Sequence, residues 1–169
     1  MKSYLLCLAF GFSLSAYAQT EQLQFVQHLY QTYLMGLEKE QQSLAENQSA
    51  EIEELTVVEK MFSPSFQAVI ALDKLLAQRD ETVVCLEHDY IVQGQDYDLP
   101  KLKETLKISP NPQTPEVIEV RFYEDSKVDY VLECQNKKCR VSEIFEYYEG
   151  KKIPFKESLA QCLLDYQAP

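Results

Sequence analysis

Apolar positions recur at helical spacing through the first third of the chain. Over residues 21–42, Val26, Leu29, Tyr30, Tyr33 and Leu37 fall at intervals of one, three or four, and Phe25 and Leu34 widen the stripe. Glutamines and the run 38–42 cover the other side, so this segment predicts an amphipathic helix. Residues 45–54 turn polar and acidic and predict a loop. A short helix is expected over 55–62. Another follows, with Ser63 at its cap and Pro64 in the first turn, where the missing N–H has no intrahelical partner to lose. Its expected buried stripe is Phe66, Val69, Ile70, Leu72, Leu75 and Leu76, and its end lies near Arg79-Asp80.

The second half alternates instead. Residues 82–86 are rich in β-formers and predict a short strand, and 99–108 fit either helix or strand. The proline-rich run 109–115 predicts a stiff connector. Beyond it, Ile118, Val120 and Phe122 point one way and Glu119 and Arg121 the other; Val128, Tyr130, Leu132 and Cys134 repeat the pattern. A third strand over 139–148 slips its period near Ser142-Glu143, which predicts a bulge. After Pro154, residues 155–166 predict a last helix with Leu159, Leu163 and Cys162 facing inward. Helices first and an antiparallel sheet afterwards make an α+β domain, in which a curved sheet wraps the first helices and a short C-terminal helix closes it.

The opening eighteen residues change the picture of where the domain works. Lys2, an apolar run over 5–14 and the small-x-small Ala16-Tyr17-Ala18 predict a signal peptide cut after Ala18 and a single domain over 19–169. The run is too short to span a bilayer. The expected location is therefore beyond the inner membrane, in the periplasm. The formal charge is −11, and without Lys2 it becomes −12, with 15 cations against 27 acids. Such a chain repels phosphate backbones and suits a cationic protein partner. Four cysteines outlast the leader. Cys134 and Cys139 lie between strand-like runs and predict a hairpin bridge across a four-residue loop, which leaves Cys85 and Cys162 to join the middle of the chain to its end. That longer bridge is worth roughly 4 kcal/mol in the chain-entropy model.

Four segments carry a resemblance: Phe25-Val-Gln-His-Leu-Tyr-Gln-Thr-Tyr-Leu34, Phe62-Ser-Pro-Ser65, Gly94-Gln-Asp-Tyr-Asp98 and Arg140-Val-Ser-Glu-Ile-Phe145. With them the chain resembles a family of small exported bacterial proteins of unknown function with the cone-shaped, nuclear transport factor two-like fold. The resemblance implies that fold and carries no catalytic residues with it.

The densest cluster of polar chemistry is the stretch 86–100, where His88, Asp89, Gln93, Gln95, Asp96 and Asp98 surround Gly94. An acid–tyrosine proton-transfer site would draw on Asp89 or Asp96 with Tyr90, Tyr97 or Tyr130, but no spacing selects a pair. Calcium would draw on Asp89, Asp96, Asp98 and the Gln95 carbonyl, yet the twelve-residue loop pattern and its closing glutamate are missing. One local histidine is too few for zinc. No catalytic residue, metal or cofactor is therefore assigned. The expected function is non-enzymatic binding in the envelope, as an inhibitor or immunity protein facing a basic enzyme or toxin. The expected contacts are Glu51, Glu53, Glu54, Asp89, Gln95, Asp96, Asp98, Tyr147 and Tyr148. The alternative is a small-molecule cup or a weak isomerase or lyase.

Overall fold

The computed structural model describes residues 11–46, 52–136 and 138–167. Helix α1 (Gly11–Ala45) is followed by α2 (Glu53–Lys60), α3 (Pro64–Asp80) and α4 (Leu99–Thr105). Five strands come next: β1 (Lys107–Pro110), β2 (Val117–Phe122), β3 (Ser126–Gln135), β4 (Lys138–Tyr148) and β5 (Lys151–Pro154). Helix α5 (Phe155–Gln167) closes the order. The sheet is an antiparallel meander in which each strand pairs with the next. The domain is α+β, as the periodicities indicate. Among the described residues no helix is long and apolar enough to cross a membrane.

The core lies between one face of this sheet and the helices. Val26, Leu29, Tyr30, Tyr33 and Leu37 of α1 are all buried, so the spacing identified the correct face. They meet Ile118, Val120 and Phe122 of β2, Val128, Tyr130 and Leu132 of β3, and Val141 and Ile144 of β4 in one cluster. Large rings fill that space, with Tyr30, Tyr33, Tyr130, Phe62, Phe66 and Phe122 among the fully buried side chains. The bulge falls at Ser142: Val131 pairs with Glu143 while Leu132 pairs with Val141. The Ser142 hydroxyl donates to the Val131 carbonyl at 3.1 Å. The segment leaving α2 is stitched to the same place, because Ser63 N–H donates to Val141 O at 2.8 Å and Val141 N–H to Met61 O at 3.0 Å.

Several expectations need correction. Residues 82–86 are not a strand. The buried carboxylate of Asp73 accepts the amides of Cys85 at 2.9 Å and Leu86 at 3.1 Å, which takes the donors a ladder would have used. That same Asp73 lies on the inward face of α3 with Phe66, Ile70 and Leu76, and it turns Leu72 and Leu75 outward. The acidic stretch 45–54 is not all loop, since Glu53 and Glu54 form the first turn of α2, where negative charge suits the helix dipole. Residues 99–108 divide into α4 and β1. The proline run begins inside β1, an edge strand whose last residue, Pro110, has no N–H to leave unpaired. Strand β5 was missed because its turn, Glu149 (φ 49°) and Gly150 (φ 75°), uses glutamate where a two-residue hairpin ordinarily shows asparagine.

Both disulfides form as expected, Cys134–Cys139 across the β3–β4 hairpin and Cys85–Cys162 from the segment after α3 to α5. The hairpin extends one pair beyond the cysteines, to Gln135 and Lys138, so its loop is shorter than four residues. Cys162 lies on the exposed side of α5, and its partner Cys85 is half-buried and packed against the core. The cleavage point expected after Ala18 falls within α1, and residues 1–10 of the leader lie outside the described residues.

Candidate functional site

Asp89 organises the stretch that sequence reading singled out. Its Oδ2 accepts the Tyr33 hydroxyl of α1 at 2.8 Å, and its Oδ1 accepts the Ile91 amide at 2.7 Å and, more weakly, the Val92 amide at 3.4 Å. Asp89 and Gly94 also exchange both backbone hydrogen bonds, at 3.1 and 3.3 Å, which closes a tight loop. A side chain at Gly94 would put its Cβ 3.3 Å from the Asp96 carbonyl, so the smallest residue suits the position. The Gln95 amide donates to the Glu87 carbonyl at 2.9 Å. Asp98 is the cap of α4, its Oδ1 accepting the Lys101 amide at 3.1 Å. Asp96 is exposed.

This loop forms one wall of a groove of about 620 Å³ whose other walls are α1 and α2. That volume lies in the range of ligand sites. Leu44, Leu55, Val58 and Leu86 give it an apolar part, and Tyr33, Tyr90 and Tyr97 an aromatic part. Among the described residues four carboxylates line it, Glu40, Glu59, Glu87 and Asp89, with His88 and no lysine or arginine. Tyr97 donates to Glu40 at 3.2 Å. Burial, then the charge of Glu40, pushes the Tyr97 phenol up to about 12, and burial with the Asp89 charge raises Tyr33 further. These phenols stay protonated at physiological pH. His88 Nε2 lies 2.9 Å from Glu146 Oε1 of β4, and that hydrogen bond raises the imidazole above its ordinary value. Glu59 is paired with Lys74. With those two pairs neutralised, Glu40, Glu87 and Asp89 leave the groove anionic.

Beneath the groove the Tyr30 hydroxyl donates to the Ile91 carbonyl at 2.9 Å and meets the Tyr130 hydroxyl at 3.1 Å. Tyr90 differs. Its ring stacks on Phe155 at 4.9 Å and meets Phe62 edge-on at 5.6 Å, but among the described residues its hydroxyl has no hydrogen-bond partner.

The structure does not bring the sequence-nominated contacts together. Asp89 and Gln95 line the groove, while Asp96 and Asp98 do not. Glu53 and Glu54 start α2, with Glu54 paired to Lys39, and Glu51 lies outside the described residues. Tyr147 is on the outer face of the sheet, donating to Asp129 at 2.7 Å, and Tyr148 beside it is exposed. That outer face carries a cross-strand charge ladder. Lys152 lies 2.9 Å from the fully buried Asp129, and Lys127 bridges to Glu119 at 2.8 Å. Glu40, Glu59 and Glu87 were missed. One signal existed for Glu40, because Tyr33, Leu37, Glu40 and Leu44 continue a single helical stripe and an acid inside such a stripe is out of place. Among the described residues no three His, Cys, Asp or Glu side chains converge as metal ligands do.

The chain matches no protein-family model, no curated protein and no solved structure.

Proposed function

We propose that the chain is an exported, non-enzymatic binding protein of the bacterial envelope that engages a basic segment of a protein partner, as an inhibitor or immunity protein would. The observation that carries this reading is the groove, whose lining among the described residues has four carboxylates and no lysine or arginine. A charge of −11 steers a cationic partner toward it and disfavours nucleic acid. Two disulfides are consistent with an oxidising location beyond the inner membrane, where the leader over residues 1–18 would send the chain. Binding rather than catalysis is favoured because Asp89 has both oxygens engaged, one by the Tyr33 hydroxyl of α1 and one by the Ile91 amide of its own loop. The order of helices before an antiparallel sheet is the order that the resemblance to the nuclear transport factor two-like fold implies.

The test is capture from the native envelope fraction at low and high salt, using the chain and its Glu40→Lys, Glu87→Lys variant. A basic protein held stoichiometrically at low salt, released at high salt and lost by the variant is the expected result. Capture that is indifferent to salt and to the variant would refute the reading.

A further inference from the structure

Tyr90 carries a polar group that the fold does not use. The residue is 7% exposed, and its ring is held by Phe155, Phe62 and Phe66, contacts that phenylalanine would make equally well. Tyr30, Tyr33, Tyr97 and Tyr130 all have hydroxyl partners. Among the described residues the sealed, unbonded side-chain atoms are Glu54 Oε2 and Asp129 Oδ1, so the Tyr90 oxygen retains access to the groove that its residue lines. Burial first, and then the charges of Glu59 and Asp89, raise this phenol above its ordinary value, though neither carboxylate bonds to it. A ligand atom that hydrogen-bonds to this phenol sits among carboxylates, so positive charge suits the position, whereas an anion is repelled and an apolar group leaves the hydroxyl unpaired.

We propose, resting on the reading of the groove as the docking seat, that it takes a hydrogen-bond-donating organic cation on an aliphatic stem. An ammonium or guanidinium N–H donates to the Tyr90 oxygen, Glu40, Glu87 and Asp89 compensate the charge, and the stem lies along Leu55 and Val58. The same chemistry is offered by a basic side chain of a protein and by a free amine.

The experiment is titration of the ¹⁵N-labelled, disulfide-bonded chain with N-acetyl-lysine methylamide, N-acetyl-arginine methylamide and 1,5-diaminopentane. The controls are the trimethylated lysine derivative, which has no N–H on its head group, and the neutral norleucine derivative. Saturable shifts over residues 86–97 with the first three probes, and at least tenfold weaker binding of both controls, are expected. Tyr90→Phe weakens the N–H cations at least tenfold without lowering the thermal midpoint, and Glu87→Gln, at an exposed position, weakens them severalfold. No shifts at millimolar probe, undiminished binding by Tyr90→Phe, or equal binding of norleucine overturns the proposal. If a basic protein is captured through Glu40 and Glu87 but Tyr90→Phe captures it equally, this inference falls and the protein-partner reading stands. If diaminopentane binds through Tyr90 while no basic protein is captured, the inference stands, the source is a free amine, and the protein-partner reading falls.

Discussion

Replacing Asp89 by alanine tests whether the loop over 86–98 hangs on a single carboxylate. In the native fold that carboxylate accepts the Tyr33 hydroxyl at 2.8 Å and the Ile91 amide at 2.7 Å, and both donors belong to residues no more than 3% exposed. Alanine leaves two buried donors without acceptors, at about 1–3 kcal/mol each, for a total of about 3–5 kcal/mol. For a domain of this size that lowers the thermal midpoint by about 10 °C or more. Asp89→Asn keeps one acceptor oxygen for the loop amides but turns an NH₂ toward Tyr33, so its expected cost is about 1–2 kcal/mol. Urea unfolding monitored by circular dichroism gives these values, and amide exchange at Ile91 and Val92 reports the loop directly. A cycle with Tyr33→Phe should return a coupling of about 1–2 kcal/mol. The exposed Asp96→Ala is the control, expected within about 0.5 kcal/mol of the native chain. An Asp89→Ala loss no larger than that control, or a coupling of zero, would refute the reasoning and free Asp89 to act as a ligand-facing acid.

Three further outcomes follow from the same geometry. His88 is raised above its ordinary value by Glu146, so the contribution of this pair is fully present below the unfolded histidine value of about 6.5 and is lost as pH rises through the raised folded value. The His88 side chain is 37% exposed, which keeps the effect under about 1 kcal/mol, and Glu146→Gln should remove the difference in unfolding free energy between pH 5.5 and pH 8.5. A Cβ at Gly36 would stand 2.7 Å from Leu55 Cδ2 and 2.9 Å from its Cγ, where α1 and α2 cross. Gly36→Val should therefore lose about 1–3 kcal/mol by denaturant titration even though it removes a glycine from a helix. The Cys85→Ser, Cys162→Ser variant opens a bridge of sequence separation 77 and should lose about 4.5 kcal/mol, against about 2 kcal/mol for Cys134→Ser, Cys139→Ser with a separation of 5. Equal losses for the two pairs would count against the chain-entropy account.

The amino-acid sequence alone determined whatever depends on near neighbours. The buried face of α1, the Ser63-Pro64 start of α3, the alternation of β2 and β3 and the slip at Ser142 are each legible as a period or its interruption within a short stretch of chain. The cysteine pairing was legible for a related reason, because a hairpin brings Cys134 opposite Cys139 and leaves one other pair. Where local propensity competed with a distant partner, the distant partner prevailed. Asp73 took the amides of residues 85 and 86 and cancelled a strand that the β-rich sequence called for. The groove belongs mostly to that second category, although its loop wall and Glu40 left a trace in the sequence. Its ties join Tyr33 to Asp89, Glu40 to Tyr97 and His88 to Glu146 across 56 to 58 residues. Apart from the out-of-place Glu40, no one-dimensional pattern marks which of 27 acids will share a wall, because that depends on how α1 and α2 cross beside the loop. Tyr90 shows the limit best. Its letter fits either a packed ring or a proton donor beside an acid, and only the packing of Phe62, Phe66 and Phe155 on its ring at the groove wall shows a hydroxyl without a partner among the described residues.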